Sequence, residues 1–350
     1  MTATSTAIDV ADLTLEEKAS LTSGLSFWHT QPIERLEIPP IMLTDGPHGL
    51  RKQAGAGDAM GLGVSDPSTC FPPACGLGSS WDVELIEEVG RALGAEASLA
   101  GVGVVLGPGL NTKRSPLCGR NFEYFSEDPV ISGQLAAAYV RGIQSQGVGS
   151  CVKHFAANNQ ETDRMSVSAD VDARTLHEIY LHGFRTAVQD GTPWMVMAAY
   201  NKINGVYATE SHWLLTDMLR DRWGFDGVVV SDWGAVANRV AALKAGLDLQ
   251  MPTTDGATDK QIVQAVREGK LDESILDEAA RRVLALVEKA QKGAGQVAGP
   301  LDVDAHNDLA RKAAGRSIVL LKNEGNLLPL DSDSTIAVIG EFAQKPRYQG

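Results

Sequence analysis

Val228-Val229-Val230 is an unbroken run of β-branched residues inside the stretch from Gly224 to Gly234, and it stops abruptly at Ser231-Asp232. A short continuous apolar run of this kind fits a strand buried on both faces, which requires a parallel sheet covered by helices. A carboxylate at the carboxyl end of such a strand sits on the rim of the sheet, where α/β folds place their chemistry. The plainer alternative is that Ser231 or Asp232 caps a helix beginning near Ala235. One strand end does not decide between them. A repeated pattern does.

The pattern repeats along the chain. After a polar lead-in with a short helix from Leu13 to Leu21, Ile41 to Leu43 forms a first strand that breaks at Thr44-Asp45-Gly46-Pro47-His48-Gly49. The glycine-rich segment 54–63 lacks the strand-then-helix setting of a phosphate loop and is expected as a surface loop. Phe71 to Gly78 is expected as a short strand. A helix follows from Trp81 to Ala100, capped by Ser80 or Asp82. The strand Val102 to Leu106 leads into a long polar and aromatic loop, Asn111 to Asp128. Loops of that length within a compact domain are usually functional.

Asp128-Pro129 caps a helix reaching Gln146, and Val148 to Val152 is a strand that runs out into Lys153-His154-Phe155. A second rich loop spans Ala156 to Ser168. After Asp172, the residues Leu176, Ile179, Tyr180, Gly183, Phe184, Ala187 and Val188 mark one helix face. Trp194 to Ala199 is a strand ending in Tyr200-Asn201, followed by a helix from Trp213 to Trp223 and the Asp232 strand. A helix to Ala245, a last strand over Leu247 to Met251, and helices near 258–268 and 273–290 complete the series.

Strand and helix alternating over roughly 250 residues fit a (β/α)8-type TIM barrel over residues 1–290, imperfect because only about seven strands are distinct. A doubly wound open sheet is the structural alternative. Residues 291–302, rich in Gly and ending in Pro-Leu-Asp, read as a linker. Residues 303–350 supply one helix, Ala305 to Arg316, and two strands, Ser317 to Leu321 and Thr335 to Ile339. That is too little to bury a core, so this part is expected to be the truncated start of a second, α/β sandwich domain.

Composition narrows the function. A formal net charge of -13 speaks against nucleic acid or an anionic membrane as partner. No apolar run approaches the roughly 18 residues of a membrane span. The first ten residues show neither a basic nor an apolar signal region, and cytoplasm is the expected location. Cys70, Cys75, Cys118 and Cys151 have no zinc-ligand spacing. The chain gives no indication of oligomeric state.

Collected at strand ends and in the adjoining loops are Asp45, Lys153, His154, Tyr200, Asp232 and Trp233, with Arg120 and Arg164. Each has a bland reading: a turn former, a surface ion pair, a core histidine, a packing tryptophan. In a barrel all of them converge on one face, and such a set suits sugar recognition. Forks of Asp, Arg, Lys and His hold hydroxyls, an aromatic ring covers the C–H face, and one carboxylate stands apart as nucleophile. Asp232 is the candidate, with Trp233 beside it as platform and Ser231 orienting the strand end.

These residues also carry a resemblance. Lys153-His154-Phe155, the run Asn158 to Met165, Ala199-Tyr200-Asn201, Gly224 to Gly227, Ser231-Asp232-Trp233, Gly119 to Tyr124 and Leu43 to Gly46 resemble glycoside hydrolase family 3 β-glucosidases, in the family's order. Ser317 to Asn323 resembles the start of that family's second domain. The resemblance implies a retaining, exo-acting hydrolase that releases a terminal β-D-glucosyl or similar unit from a β-glucoside or oligosaccharide. It implies Asp232 as nucleophile, and Asp45, Arg120, Lys153, His154 and Arg164 as ligands of the sugar hydroxyls. Tyr200 is then near the nucleophile, Trp233 stacks, and Met197 lines the same subsite. No metal or organic cofactor is implied.

A retaining glycosidase needs a second carboxyl roughly 5–5.5 Å from the first. In this family's β-glucosidases it belongs to the second domain, so the acid/base is expected beyond residue 350, and Glu123 and Glu161 match framework positions instead. Two other functions remain open on the residues: a sugar-binding or partner fragment without turnover, and a barrel lyase forming a Schiff base on Lys153.

Overall fold

A computed structural model describes residues 8–46, 49–53 and 64–346 of the chain. The turn residues Pro47 and His48 and the glycine-rich segment 54–63 lie outside the described residues. Helix α1 (Leu15–Leu21) is opened by Thr14, whose hydroxyl accepts from the Glu17 amide while Glu17 accepts from Thr14 N. Strand β1 (Leu43–Thr44) follows. In place of a strand over Phe71 to Gly78 the chain forms helix α2 (Ala74–Gly78). Pro72 and Pro73 cannot donate to a sheet ladder, whereas proline suits the start of a helix.

Helix α3 (Val83–Leu99) is capped by Asp82, and helix α4 (Pro129–Gln144) by Asp128. Strands β2 (Val104–Val105) and β3 (Gly149–Phe155) flank α4 in sequence. Strand β4 (Ser168–Ala169) precedes a helical rod made of α5 (Ala173–Thr175), a π-helical stretch Leu176–Tyr180, and α6 (His182–Gly191). Strand β5 (Met195–Ala198) comes next, then β6 (Lys202–Ile203) and β7 (Val206–Tyr207), which form a small second sheet with β4. A π-helix, Trp213–Arg222, leads to β8 (Val228–Ser231).

Helix α7 (Arg239–Ala245) begins later than the sequence suggests, because Asn238 is its cap and accepts from Ala241 N at 3.0 Å. Neither Ser231 nor Asp232 is occupied with capping it. Helices α8 (Ala257–Arg267), α9 (Glu273–Gly293), α10 (Val303–Ser317) and α11 (Glu341–Gln344) complete the chain.

Five strands pair in parallel in the order β1-β2-β3-β5-β8. Beyond β8, Leu249 takes the next place: Leu249 N donates to Val229 O at 3.0 Å and Ser231 N donates to Leu249 O at 2.9 Å. Gln250 N in turn donates to Thr22 O (3.0 Å) and Gly24 N to Gln250 O (3.1 Å). A tight reversal joins Leu25 N to His29 O (2.8 Å), and Leu43 N donates to Trp28 O (2.8 Å), which returns the ladder to β1. The sheet thus curls upon itself in a TIM-barrel-like α/β fold. The closing contacts Gly24–Thr30 and His29–Met42 are antiparallel.

The pleat sorts the core. Leu43, Val104, Cys151, Met195, Val228, Val230 and Leu249 belong to one apolar cluster. Their neighbours Val105, Val152, Val196, Ala198 and Val229 belong to another, shared with α3, α4 and α6. Successive strand residues point to opposite faces, so the second cluster packs under the helices and the first faces into the curl.

Past α9, helix α10 lies against α2 and α3, tied by His306 Nδ1–Glu96 Oε1 (2.7 Å), Lys312–Glu88 (2.7 Å) and Arg316–Asp82 (2.8 Å). The strands expected at Ser317 to Leu321 and Thr335 to Ile339 do not form, and Ile318, Leu321, Val338 and Ile339 are exposed. Among the described residues no segment pairs with these stretches, and an extended chain without a partner does not hold strand geometry in water. No helix among the described residues is long and apolar enough to cross a membrane.

Candidate active site

The same parity that builds the core places the chemistry. Continuing each inward series by two residues gives Asp45 after Leu43, Lys153 after Cys151, Met197 after Met195, and Asp232 after Val228 and Val230. The register between β3 and β5 shifts between Val152 and Phe155. Such an irregularity re-aims side chains, and here both Lys153 and its neighbour His154 reach the same space. All nine residues expected from the sequence (Asp45, Arg120, Lys153, His154, Arg164, Met197, Tyr200, Asp232 and Trp233) line one cavity of about 240 Å³.

A chain of charge pairs runs around this cavity. Asp45 Oδ1 accepts from Lys153 Nζ at 2.6 Å and Oδ2 from Arg51 at 3.0 Å. Burial alone pushes the Asp45 carboxyl up, but Lys153 and Arg51 outweigh it and hold the group well below the usual carboxylate range. Lys153 Nζ is also 3.9 Å from Glu123 Oε2, and Glu123 Oε1 accepts from Arg120 Nε. Burial disfavours the Lys153 ammonium, yet Asp45 and Glu123 keep its pKa above the ordinary value. An imine-forming lysine needs the reverse shift. The Schiff-base reading of Lys153 is therefore not supported by its surroundings.

His154 is neutral. Burial first, then Arg120, Lys153 and Arg164, drive its pKa well below the ordinary value. Arg120 Nη2 donates to Nε2 at 2.8 Å, which leaves the ring proton on Nδ1, 3.0 Å from the Tyr124 hydroxyl oxygen. Asn111 clamps the main chain here, accepting from His154 N at 2.7 Å and donating to His154 O at 2.9 Å.

Asp232 is 7% exposed. Its Oδ1 accepts from Trp233 N at 2.8 Å, while Oδ2 is buried without a hydrogen-bond partner, 3.7 Å from His154 Nε2. Burial raises the carboxyl, and Arg120, the Trp233 amide and Lys153 only partly offset it. Ser231 pins the strand end, accepting from Met251 N at 2.9 Å and donating to Met251 O at 3.2 Å. Tyr200 donates to Trp233 O at 3.0 Å, and the Arg164 guanidinium lies 4.8 Å from the centre of the Tyr200 ring.

Six further residues line the cavity: Phe27, Trp28, Arg51, Leu106, Phe122 and Glu123. Phe27 and Trp28 hold Trp233, whose Nε1 donates to Phe27 O at 2.8 Å and whose ring lies 5.5 Å from that of Trp28. Leu106 follows Val104 on the inward face, a signal that strand parity offers. Arg51 comes from beyond the turn and is visible only through its pairing with Asp45. Among the described residues, no group of three or more His, Cys, Asp or Glu side chains could hold a metal. A wider hollow of about 670 Å³ surrounds Arg220, Asp248 and Arg282. There Asp248 is consumed by Arg220 (2.6 Å), Arg282 (3.1 Å) and Val229 N (2.7 Å), an arrangement that ties the structure together.

The arrangement offers one buried carboxylate oxygen free of partners, a ring of fixed donors and acceptors, and an aromatic wall. Comparisons with known proteins identify the family. The family model described as the glycosyl hydrolase family 3 N terminal domain matches residues 26–286. The thermostable β-glucosidase B of Acetivibrio thermocellus is 58% identical over 97% of this chain and 45% of its own length. An exo-α-(1→6)-L-arabinopyranosidase of Bifidobacterium longum is 52% identical over 99% of this chain and 47% of its own. The crystal structure of a family 3 β-glucosidase from Bifidobacterium adolescentis superposes with a TM-score of 0.92 at 52% identity, covering 99% of this chain and 49% of that one. The chain thus spans less than half the length of each of these relatives.

Proposed function

The chain belongs to glycosyl hydrolase family 3, and from that membership we propose that it carries the nucleophile half of a retaining, exo-acting β-glucosidase site. The observation that carries the reading is Asp232 Oδ2, buried in the cavity and unpartnered. In the first step it attacks the anomeric carbon of a terminal β-D-glucosyl unit, forming a covalent glycosyl-enzyme that water later hydrolyses. Asp45, Arg120, Lys153, His154 and Arg164 hold the sugar hydroxyls. Met197 and Tyr200 line the floor beside the nucleophile, and Trp233, braced by Phe27 and Trp28, covers the ring's C–H face.

The leaving oxygen needs a proton donor. Among the described residues lining the cavity, the other carboxyls are Asp45, held ionised by Lys153 and Arg51, and Glu123, engaged by Arg120. Neither suits that role. The acid/base is proposed to lie beyond residue 350, since the relatives run to about twice this length. Residues 303–346 then begin a second domain, which supplies the cover that Ile318 to Leu321 lack. The closed ladder is read as an imperfect (β/α)8-type barrel, supported by the hydrogen bonds that link Leu249, Gln250 and residues 22–30 back to β1.

The test is labelling with 2,4-dinitrophenyl 2-deoxy-2-fluoro-β-D-glucoside, whose activated leaving group departs without an acid. One adduct on the peptide containing Asp232 supports the nucleophile and the retaining route together. An adduct on another carboxylate overturns the assignment. Sugar binding with no adduct favours a binding fragment without turnover. Comparing β-D-glucosyl, β-D-xylosyl and α-L-arabinopyranosyl p-nitrophenyl substrates on a chain of the relatives' length decides the glycone, and the proposal expects the glucoside to lead.

A further inference from the structure

Glu123 is almost fully buried, at 4% exposure, on a single 3-10 turn (Asn121–Glu123) within the long loop that follows β2. It touches two groups of the cavity at once. Oε1 accepts from Arg120 Nε, and Oε2 stands 3.9 Å from Lys153 Nζ. Its main chain is equally fixed: a Cβ added at Gly109 would lie 2.9 Å from Glu123 O and 3.0 Å from the Tyr124 ring. A carboxylate so deeply seated, which contacts no reacting atom in the proposed mechanism, calls for a reason.

The reason lies in the geometry of Arg120. An arginine beside a carboxylate ordinarily closes a bidentate pair with it. Arg120 does not do so with Asp232, although its charge acts on that carboxyl. Its Nε is held by Glu123 and its Nη2 by His154 Nε2, so the guanidinium plane cannot turn to present a full fork to Asp232. Asp232 Oδ2 has no hydrogen-bond partner. Charge tells the same story. Four cations line the cavity, Arg51, Arg120, Lys153 and Arg164, against three anions, Asp45, Glu123 and Asp232, and Arg164 has its own partner in Glu161 at 2.7 Å. Without Glu123 one more of these cations goes unbalanced, which opposes a transition state of oxocarbenium character.

We infer that Glu123 is a positioning residue that diverts Arg120 from Asp232 and offsets Lys153, and so preserves Asp232 as a free nucleophile; this rests on the assignment of Asp232 above. The experiment follows the labelling rate at saturating 2,4-dinitrophenyl 2-deoxy-2-fluoro-β-D-glucoside against pH, by intact mass, in wild type, Glu123→Gln and Glu123→Asp. In that step Asp232 Oδ2 bonds to the anomeric carbon and the bond to the aryl oxygen breaks. Dinitrophenolate leaves with the electron pair, and no proton is supplied. Neutralising Glu123 leaves Asp232 facing the same cations with one anion fewer, which lowers the pH at which Asp232 ionises.

The expected result for Glu123→Gln is labelling slowed at least about tenfold with the acid limb moved to lower pH. Glu123→Asp keeps the charge on a shorter arm, so its acid limb stays in place and part of the rate returns. Wild-type rates in Glu123→Gln, or equal losses in both variants with neither limb moved, overturn the inference. If Glu123→Gln does not fold, Glu123→Asp decides: slowed labelling with an unmoved limb supports the role, and a wild-type rate refutes it. A wild type that fails to label at Asp232 removes the nucleophile assignment first, and the inference with it.

Discussion

Asp45→Asn removes a carboxylate that carries two charge pairings in the cavity. The wild-type carboxylate meets Lys153 Nζ at 2.6 Å and Arg51 at 3.0 Å. At an effective dielectric constant of about 20, each contact is worth about 6 kcal/mol of gross attraction. Most of that is cancelled by the desolvation of the three groups. Breaking a buried pair by removing one partner typically costs about 3–5 kcal/mol. The Asp45 side chain keeps 24% exposure toward the cavity, which favours the lower end. The expected loss is about 3 kcal/mol at pH 7, or a melting temperature lower by about 5 °C.

The pH dependence is the sharper check. Asp45 is held below its unfolded pKa, so its contribution is complete above about pH 4 and is lost as pH falls toward the folded value. Across that window the gap between wild type and Asp45→Asn shrinks by up to about 1.4 kcal/mol per pH unit. Urea unfolding at pH 7, 4 and 3 measures it. A gap that is constant between pH 7 and 3, or smaller than about 1 kcal/mol at pH 7, refutes the assignment of these two pairings as the dominant interactions of Asp45.

Two further outcomes follow from the site. Asp232 has the opposite sign: burial raises its folded pKa, so its favourable contribution is present at low pH and is lost as pH rises through that value. Asp232→Asn is accordingly expected to gain about 1 kcal/mol at pH 7, with the gain fading in acid, while labelling disappears; thermal melts at two pH values test this. Trp233→Phe removes the bond from Nε1 to Phe27 O, and should cost about 1 kcal/mol of stability and several-fold in glucose affinity by calorimetry. Unchanged affinity would deny Trp233 its platform role.

What could be read from the sequence was whatever the strand pattern controls. Asp45, Lys153 and Asp232 each terminate an apolar run, and a parallel sheet offers only one rim on which such runs can end. Where local pattern and tertiary contact diverge, the sequence misleads. Phe71 to Gly78 has a strand-like apolar content, yet the paired prolines make it a helix. Residues 22–30 look like an irregular lead-in because they close the sheet by a reversal with no alternation of apolar residues. Phe27 and Trp28 were hidden for that reason. Glu123 and Arg51 gain their meaning from partners at Arg120 and Asp45, and pairings across a cavity leave no period in a sequence. The strands at Ser317 to Leu321 and Thr335 to Ile339 have the composition of strands, but the described residues offer them no neighbour.

The shared parity of core and site has a consequence for how this protein can vary. Val228, Val230 and Asp232 are consecutive steps of one inward series, as are Cys151 with Lys153 and Leu43 with Asp45. Loss or gain of a single residue inside any of these strands rotates the carboxylate or ammonium to the helix side and its apolar predecessors with it. The chemistry and the fold therefore fail together. A chain that has collapsed with a strand one residue out of phase cannot retain a half-working cavity, so substitutions within the strands are open to drift in size, while their lengths are not.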